Sequence, residues 1–406
     1  MTETAMHRTR PAPALAVLSI SACLLAGCSN GPGEASAPAE ASPAAARVTV
    51  TPRIHLNAVD GQRHVSVGRG GRVTVRAGTI TKVSLATADG RAVRGESSPD
   101  KRSWAPDAPL AHDTAYRLTV VAANGDGREE TKRIAFKTLA RTDRFTGTFT
   151  PDNGSTVGVG MPVSFTFDKA ITDKKAVESA IEVTSSSGQP VVGHWFGAQR
   201  LDFRPQQYWK AHSTVTARIR LDGVKGAEGA YGEQDRTVRF TVGRSQVSTV
   251  DAAAHRMTVV QDGKALKTLP ITAGAKNSPT WNGRMVISEK LITTRMDGAT
   301  VGFAGQYDIP DVPHAMRLST SGTFIHGNYW GEDSVFGRSN ISHGCVGLND
   351  AQGGSDPDQD AAWFYNHSLV GDVVVVQNSN DRTIAPDNGL NGWNMPWKQW
   401  KAGSAR

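Results

Sequence analysis

The feature that most constrains this chain is a recurring pattern of short apolar runs that alternate at every second residue and stop at turn signals. Alternation at period two puts one side of a run in a core and the other in water, the pattern of a half-buried strand. Val65-Ser66-Val67, Val73-Thr74-Val75 and Tyr116-Arg117-Leu118-Thr119-Val120 read this way, Asn124-Gly125-Asp126-Gly127 is a hairpin turn, and Ile134–Phe136 follows it. Val163–Phe167, Leu201–Phe203, Val215–Ile219 and Val238–Val242 repeat the texture. The 42 glycines and 20 prolines among 406 residues favour turn-rich β structure over long helices. With 38% hydrophobic and 20% charged residues, neither a membrane-embedded bundle nor a wholly disordered chain fits. A formal charge of +7 without a dense Lys/Arg stretch does not demand a nucleic-acid groove, whereas an anionic polymer nearby would suit it.

The two β-rich stretches answer each other about 100 residues apart: Trp104 and Pro106 correspond to Phe203 and Pro205, Tyr116–Leu118 to Val215–Ala217, and Ile134–Phe136 to Val238–Phe240. They resemble a duplicated β-sandwich of immunoglobulin-like type, residues 47–140 and 141–243. No cysteine pair crosses either module; Trp104 and Trp195 read as core aromatics, and the modules as spacers or weak binders.

The cysteines are Cys23, Cys28 and Cys345. Residues 12–27 are small and apolar behind Arg8 and Arg10, too short for a comfortable membrane span but suited to the core of a signal peptide. Leu25-Ala26-Gly27-Cys28 resembles a bacterial lipobox, which implies cleavage before Cys28 and a lipid on its sulfur; an ordinary secretory signal cut a little later is the alternative. Residues 28–46 then read as a small, Pro-rich tether. On that reading the mature chain is extracytoplasmic, held to the outer face of the membrane through Cys28, and Cys345 is a lone thiol with no partner for a disulfide.

The texture changes near Arg244. Val247–Val250 and Met257–Val260 read as strands, Asp262-Gly263 as a type I′ hairpin turn, Asn277–Gly283 as a loop, Asp360–Tyr365 as a helix and Val373–Val376 as a buried strand, giving a β-rich domain over 244–378. Within it, Phe324-Ile325-His326-Gly327 is followed, sixteen positions after the histidine, by Ser342-His343-Gly344-Cys345. A thiol of ordinary pKa near 8.5 is mostly protonated at neutral pH and needs a base; His326 can serve if two strands bring it to Cys345. Gly344 lets the chain turn so that successive N–H groups converge on one point, as an oxyanion hole requires. Together these are the parts of acyl transfer through a thioester.

These motifs resemble those of the L,D-transpeptidase catalytic domain, and the whole chain resembles the actinobacterial lipoprotein type with two immunoglobulin-like modules. The resemblance implies a mostly β protein, two sandwiches followed by a β-rich catalytic domain and a short C-terminal extension over 379–406. It implies Cys345 as nucleophile, His326 as base and later acid, and the Gly327 carbonyl holding the His326 ring. The N–H groups of His343, Gly344 and Cys345 would form the oxyanion hole beside Ser342. Tyr307, Ser321 and Gly322 would contact the donor peptide, Trp330 would form a wall, and Met296 would sit on a lid loop. The family often carries Arg or Asn two residues after the cysteine; here Gly347 stands there, and Asn349 is the nearest asparagine. The implied partners are peptidoglycan stem peptides and, as covalent inhibitors, β-lactams, carbapenems above all; the expected protein is a monomer without cofactor or metal. The implied product is a 3→3 crosslink.

Other readings remain open at this stage. Cys345 can be a small buried hydrophobe beside Val346 and Leu348, or His326, His343 and Cys345 can be three zinc ligands. The whole chain can be a non-catalytic wall-binding scaffold. His343 by itself reads as structural, orienting Ser342 and its turn. His314, beside Asp308 and Asp311, reads as a polar loop residue. Trp393, Trp397 and Trp400, spaced four and three apart, read as one face of a helical turn that packs back on the folded body, against the second β module, with a membrane or carbohydrate surface as the alternative; Gly392 and Pro396 weaken the helix.

Overall fold

In the computed structural model, residues 50–406 are described; the leader, the tether and the proposed lipidation site Cys28 lie outside the described residues. The first sandwich pairs a sheet of Arg53–Leu56, Val73–Arg76, Ser103–Pro106 and Gly95–Ser97 with one of Ala92–Val93, Thr79–Thr87, Ala115–Ala123 and Glu129–Lys137. Alternating residues Val73, Val75, Leu118, Val120, Ile134 and Phe136 enter its core with Trp104. Val65–Val67 departs from the strand expected there: only Val65 bridges, to Thr138, and the chain then turns. Ser66 causes the turn, its hydroxyl accepting the N–H groups of Gly68 and Arg69.

In the second sandwich, Gly147–Thr150, Val163–Phe167, Arg200–Pro205 and Val191–Phe196 face Thr156–Val157, Asp235–Val242, Thr214–Arg220 and Ile181–Ser185. Phe145, Phe165, Phe167 and Phe203 fill the space between, with Trp195 stacked on Phe167.

The third domain has two sheets. Five strands run in the order Lys264–Pro270, Arg256–Gln261, Gln246–Asp251, Val373–Gln377, Gly283–Val286. The Val373–Gln377 strand pairs parallel to Gln246–Asp251 and is apolar on both faces, as a central parallel strand must be. Asp262 and Gly263 take φ of +50° and +79° at the tip of their hairpin, which fits a type I′ turn.

The second sheet carries His326 and the strand that follows Cys345: Glu289–Asp297, Asp308–Arg317, Phe324–Asn328, Val346–Asn349. Its last pair is parallel, so residues 329–345 must cross over one end, and that crossover delivers Ser342–Cys345. The helix Asp360–His367 buries Ala361 and Phe364 against the core shared with Ile325, Val346 and Leu348.

The C-terminal segment returns to the second sandwich. Trp400, fully buried, stacks on His194 with ring centroids 4.8 Å apart and donates its indole N–H to the Val192 carbonyl. Trp393 donates to the Gly160 carbonyl. Arg204 lies beneath Trp393, Trp397 and Trp400, its guanidinium 4.1 Å from the Trp400 ring.

Candidate active site

Parallel register decides which groups meet. Ile325 pairs with Val346, His326 with Gly347 and Gly327 with Leu348. Alternation sends Ile325, Val346 and Leu348 into the core and leaves His326 and Gly347 on the opposite face, with Cys345 entering just before the strand. His326 and Cys345 therefore line one cavity of about 290 Å³, with Tyr307, Trp330, Ser342 and His343 around it. Cys345 also borders two further cavities, about 300 and 350 Å³, the second lined by Ser321, Gly322 and Gly344. A half-buried sulfur open to three cavities is not the inert core residue that its apolar neighbours allowed.

His326 is buried, and its Nδ1 and the Gly327 carbonyl are 2.8 Å apart, so Nδ1 donates and Nε2 is left as the acceptor. Its ring stacks on Trp330 at 5.6 Å. Burial pushes its pKa below the ordinary imidazole value; the Gly327 carbonyl and then the Asp350 charge oppose this. Burial also pushes the Cys345 thiol up to about 11, against a lowering contribution from the Phe324 N–H. The resting pair is a neutral thiol and a neutral imidazole.

The structure does not bond the pair directly. The Cys345 thiol donates to the Gly322 carbonyl at 3.6 Å, and among the described residues no hydrogen bond joins it to His326. Gly322 has φ of +93° and lies against the lid: a Cβ there would sit 2.4 Å from Val301 Cγ1.

Ser342 pins the turn before Cys345. Its hydroxyl donates to the Cys345 carbonyl at 2.6 Å and accepts the Gly344 N–H at 3.1 Å, with Gly344 at φ +117°. This changes the expected oxyanion hole. The Gly344 N–H is already engaged, whereas the N–H groups of His343 and Cys345 have no backbone partner among the described residues.

His343 is exposed and turned to the lid, bonded through Nε2 to Gln306 Oε1 at 2.9 Å and packed on Phe303 and Tyr307. It does not join His326 and Cys345 as a zinc ligand set, and no group of three metal-ligating side chains occurs among the described residues. Met296 is not on the lid loop: it lies in the Glu289–Asp297 strand opposite Ile309, at the foot of the loop 298–307. Ser321 accepts from Asn388 Nδ2 at 2.8 Å, so the C-terminal extension braces this edge.

Asn349 does not line any cavity that Cys345 borders. Asn328, its partner across the ladder, lines the His326 cavity instead, over the space that a side chain at Gly347 would need. Missing side-chain volume at Gly347 was the sequence signal for it. His314 is not a loop residue: it is buried within the Asp308–Arg317 strand and paired with Asp350. No spacing rule links positions 36 residues apart on different strands.

A cysteine and an imidazole thus face one cavity beside the loop 298–307, at the end of a parallel strand pair. Residues 245–376 match the L,D-transpeptidase catalytic domain, and residues 62–225, spanning parts of both sandwiches, match a bacterial Ig domain. L,D-transpeptidase 2 of Mycobacterium tuberculosis is 32% identical over 364 residues, covering 88% of this chain and 86% of its own. L,D-transpeptidase 5 of the same species is 31% identical, covering 82% of this chain and 72% of its own. A solved L,D-transpeptidase, LdtMt1 in complex with imipenem, is 29% identical and covers 57% of this chain and 97% of its own, with a TM-score of 0.48. The chain belongs to the L,D-transpeptidase family.

Proposed function

We propose that the protein is a peptidoglycan L,D-transpeptidase that forms 3→3 crosslinks through a thioester on Cys345. The donor is a stem tetrapeptide. Cys345 Sγ attacks the carbonyl of its third residue as the thiol proton passes to Nε2 of His326, giving a tetrahedral oxyanion. The N–H groups of His343 and Cys345 are the available donors for that oxyanion. Collapse expels D-Ala, whose amine takes the proton from His326. The side-chain amine of a diamino acid on a neighbouring stem then attacks the thioester, His326 taking and returning a proton again. The same sulfur opens the β-lactam ring of a carbapenem. A lipid on Cys28 would hold the enzyme outside the membrane, within reach of the wall.

The observation that supports this most directly is the common cavity of His326 and Cys345, with the Gly327 carbonyl fixing the tautomer that leaves Nε2 basic. The test is intact-mass analysis with a carbapenem. One covalent adduct is expected on the folded, reduced protein and none on Cys345→Ala; an unmodified wild-type chain sinks the proposal and favours a non-catalytic scaffold. A disaccharide-tetrapeptide substrate should give dimers joined between third residues, and only 4→3 dimers would contradict the crosslink. Because the imidazole must be unprotonated and its pKa is held below 6.5, adduct formation should stay level from neutral pH upward and fall only below pH 6.5. A fall beginning above pH 7 would contradict the depressed imidazole.

A further inference from the structure

Against Gly327, the residue after His326, lies a buried pair that the acyl-transfer mechanism does not use. His314 donates from Nδ1 to Asp350 Oδ2 at 2.7 Å, and the Asp350 side chain is fully sealed from solvent. The other oxygen, Oδ1, accepts the Ala351 N–H at 2.9 Å. Burying a carboxylate is costly unless it is paired and hydrogen-bonded, so a sealed one needs a reason to be there.

Three features place this pair against the catalytic histidine. Asp350 Oδ2 rests on Gly327: a Cβ there would lie 2.1 Å from it, so only glycine lets the carboxylate approach that peptide. The carbonyl of the same Gly327 holds His326 Nδ1. The partner is held in place at a conformational cost, since His314 sits within a strand at φ +49°. Its ring is closed in by Tyr365 at 5.1 Å and by Gly354, where a Cβ would lie 2.8 Å from the His314 ring.

The other charged and titratable groups around the pair are accounted for. Lys290 sits over the Tyr365 ring, 4.2 Å from its centroid, and donates to the Tyr365 and Ser368 carbonyls. Asp311 is occupied by the Tyr329 hydroxyl and by Gln352. The carboxylate, not the His314 ring, faces Gly327.

We propose that Asp350, held by His314, is a positioning residue for His326: it clamps the Gly327 peptide and supplies the negative charge that favours the imidazolium formed when Cys345 gives up its proton. It does from behind a peptide what the carboxylate of a catalytic triad does by direct contact. This rests on the acyl-enzyme reading given above.

The test compares wild type, Asp350→Asn and the double variant Asp350→Asn/His314→Gln, as the full chain, by the rate of carbapenem adduct formation between pH 5 and 8. The double variant replaces both buried partners with amides that can still bond each other, which guards against a simple failure to fold. Both variants should acylate about tenfold more slowly at pH 7. Their acid limb should move down by about half a pH unit, because loss of a negative charge makes imidazolium harder to form. A purely structural role predicts that the double variant recovers the wild-type rate and limb, and that result overturns the proposal. So does an unmoved acid limb in either variant, or a double variant that melts unfolded at assay temperature. A wild-type chain that forms no adduct overturns the acyl-enzyme reading and this one with it, and is told apart because no limb then exists to compare.

Discussion

The two sandwiches share the strand order of one four-stranded sheet, but they meet their neighbours through different chemistry. The first touches the second along a polar seam: Ser66 donates to Asp222, Arg69 bridges Asp222 and Asp235, His64 stacks on Tyr231, and His112 faces Glu233. Its apolar core stays its own. The second shares its core with Val373 of the catalytic domain. Gly158 and Gly160 donate to the carbonyls of Val370 and Gly371, each at 2.8 Å, and a Cβ on Gly158 would lie 2.2 Å from the Asp372 nitrogen. Arg244 grips Asp372 with two hydrogen bonds at the same junction. Duplicated folds thus need not play duplicated roles. One module is attached by groups that water competes for, the other by surface that water cannot reach.

The largest effect should come from the apolar attachment. Trp400→Ala removes a fully buried indole, its bond to Val192 and one face of the Arg204 stack, and should cost about 3–5 kcal/mol. Denaturant unfolding, followed through the catalytic domain and the second sandwich, would read that loss; a cost below about 1 kcal/mol would show that the C-terminal segment only lies on the surface. The smallest effect should come from the seam. Arg69→Ala removes partly exposed ion pairs and should cost less than about 1 kcal/mol, less still at high salt. A larger cost would make the two attachments equivalent and dissolve the contrast.

What could be read along the chain follows the same division between local and long-range causes. The alternating runs, the Asp262-Gly263 turn and the Ser-His-Gly-Cys segment are local, and each carries its own physical signature. The tryptophans at 393, 397 and 400 could be read as a stripe aimed at the second sandwich, and they do pack there, but their individual partners could not be read, because Arg204 and His194 lie about two hundred positions away. Val65–Val67 looked like a strand because alternation is blind to a serine hydroxyl competing for backbone N–H groups. The partner of the Gly344 N–H was hidden for a like reason: the neighbouring Ser342 hydroxyl accepts it. For Asn328 the missing side chain at Gly347 was a signal, but only the parallel register says which residue fills that space.

The return of the C-terminal segment closes a circuit. The chain leaves the second sandwich at residue 243, builds the whole catalytic domain, and comes back to rest on the sandwich it left, where Glu178 accepts from Trp195, from the Ser404 hydroxyl and from the Ala405 N–H. A single covalent link would leave the catalytic domain free to pivot like a bead on a string. The covalent link at residue 243, the junction around Val373 and Asp372, and the packed C-terminal segment together fix its orientation, each holding the others' contacts at high local concentration. To swing the active site away from the second sandwich, the junction and the C-terminal packing would have to give way together.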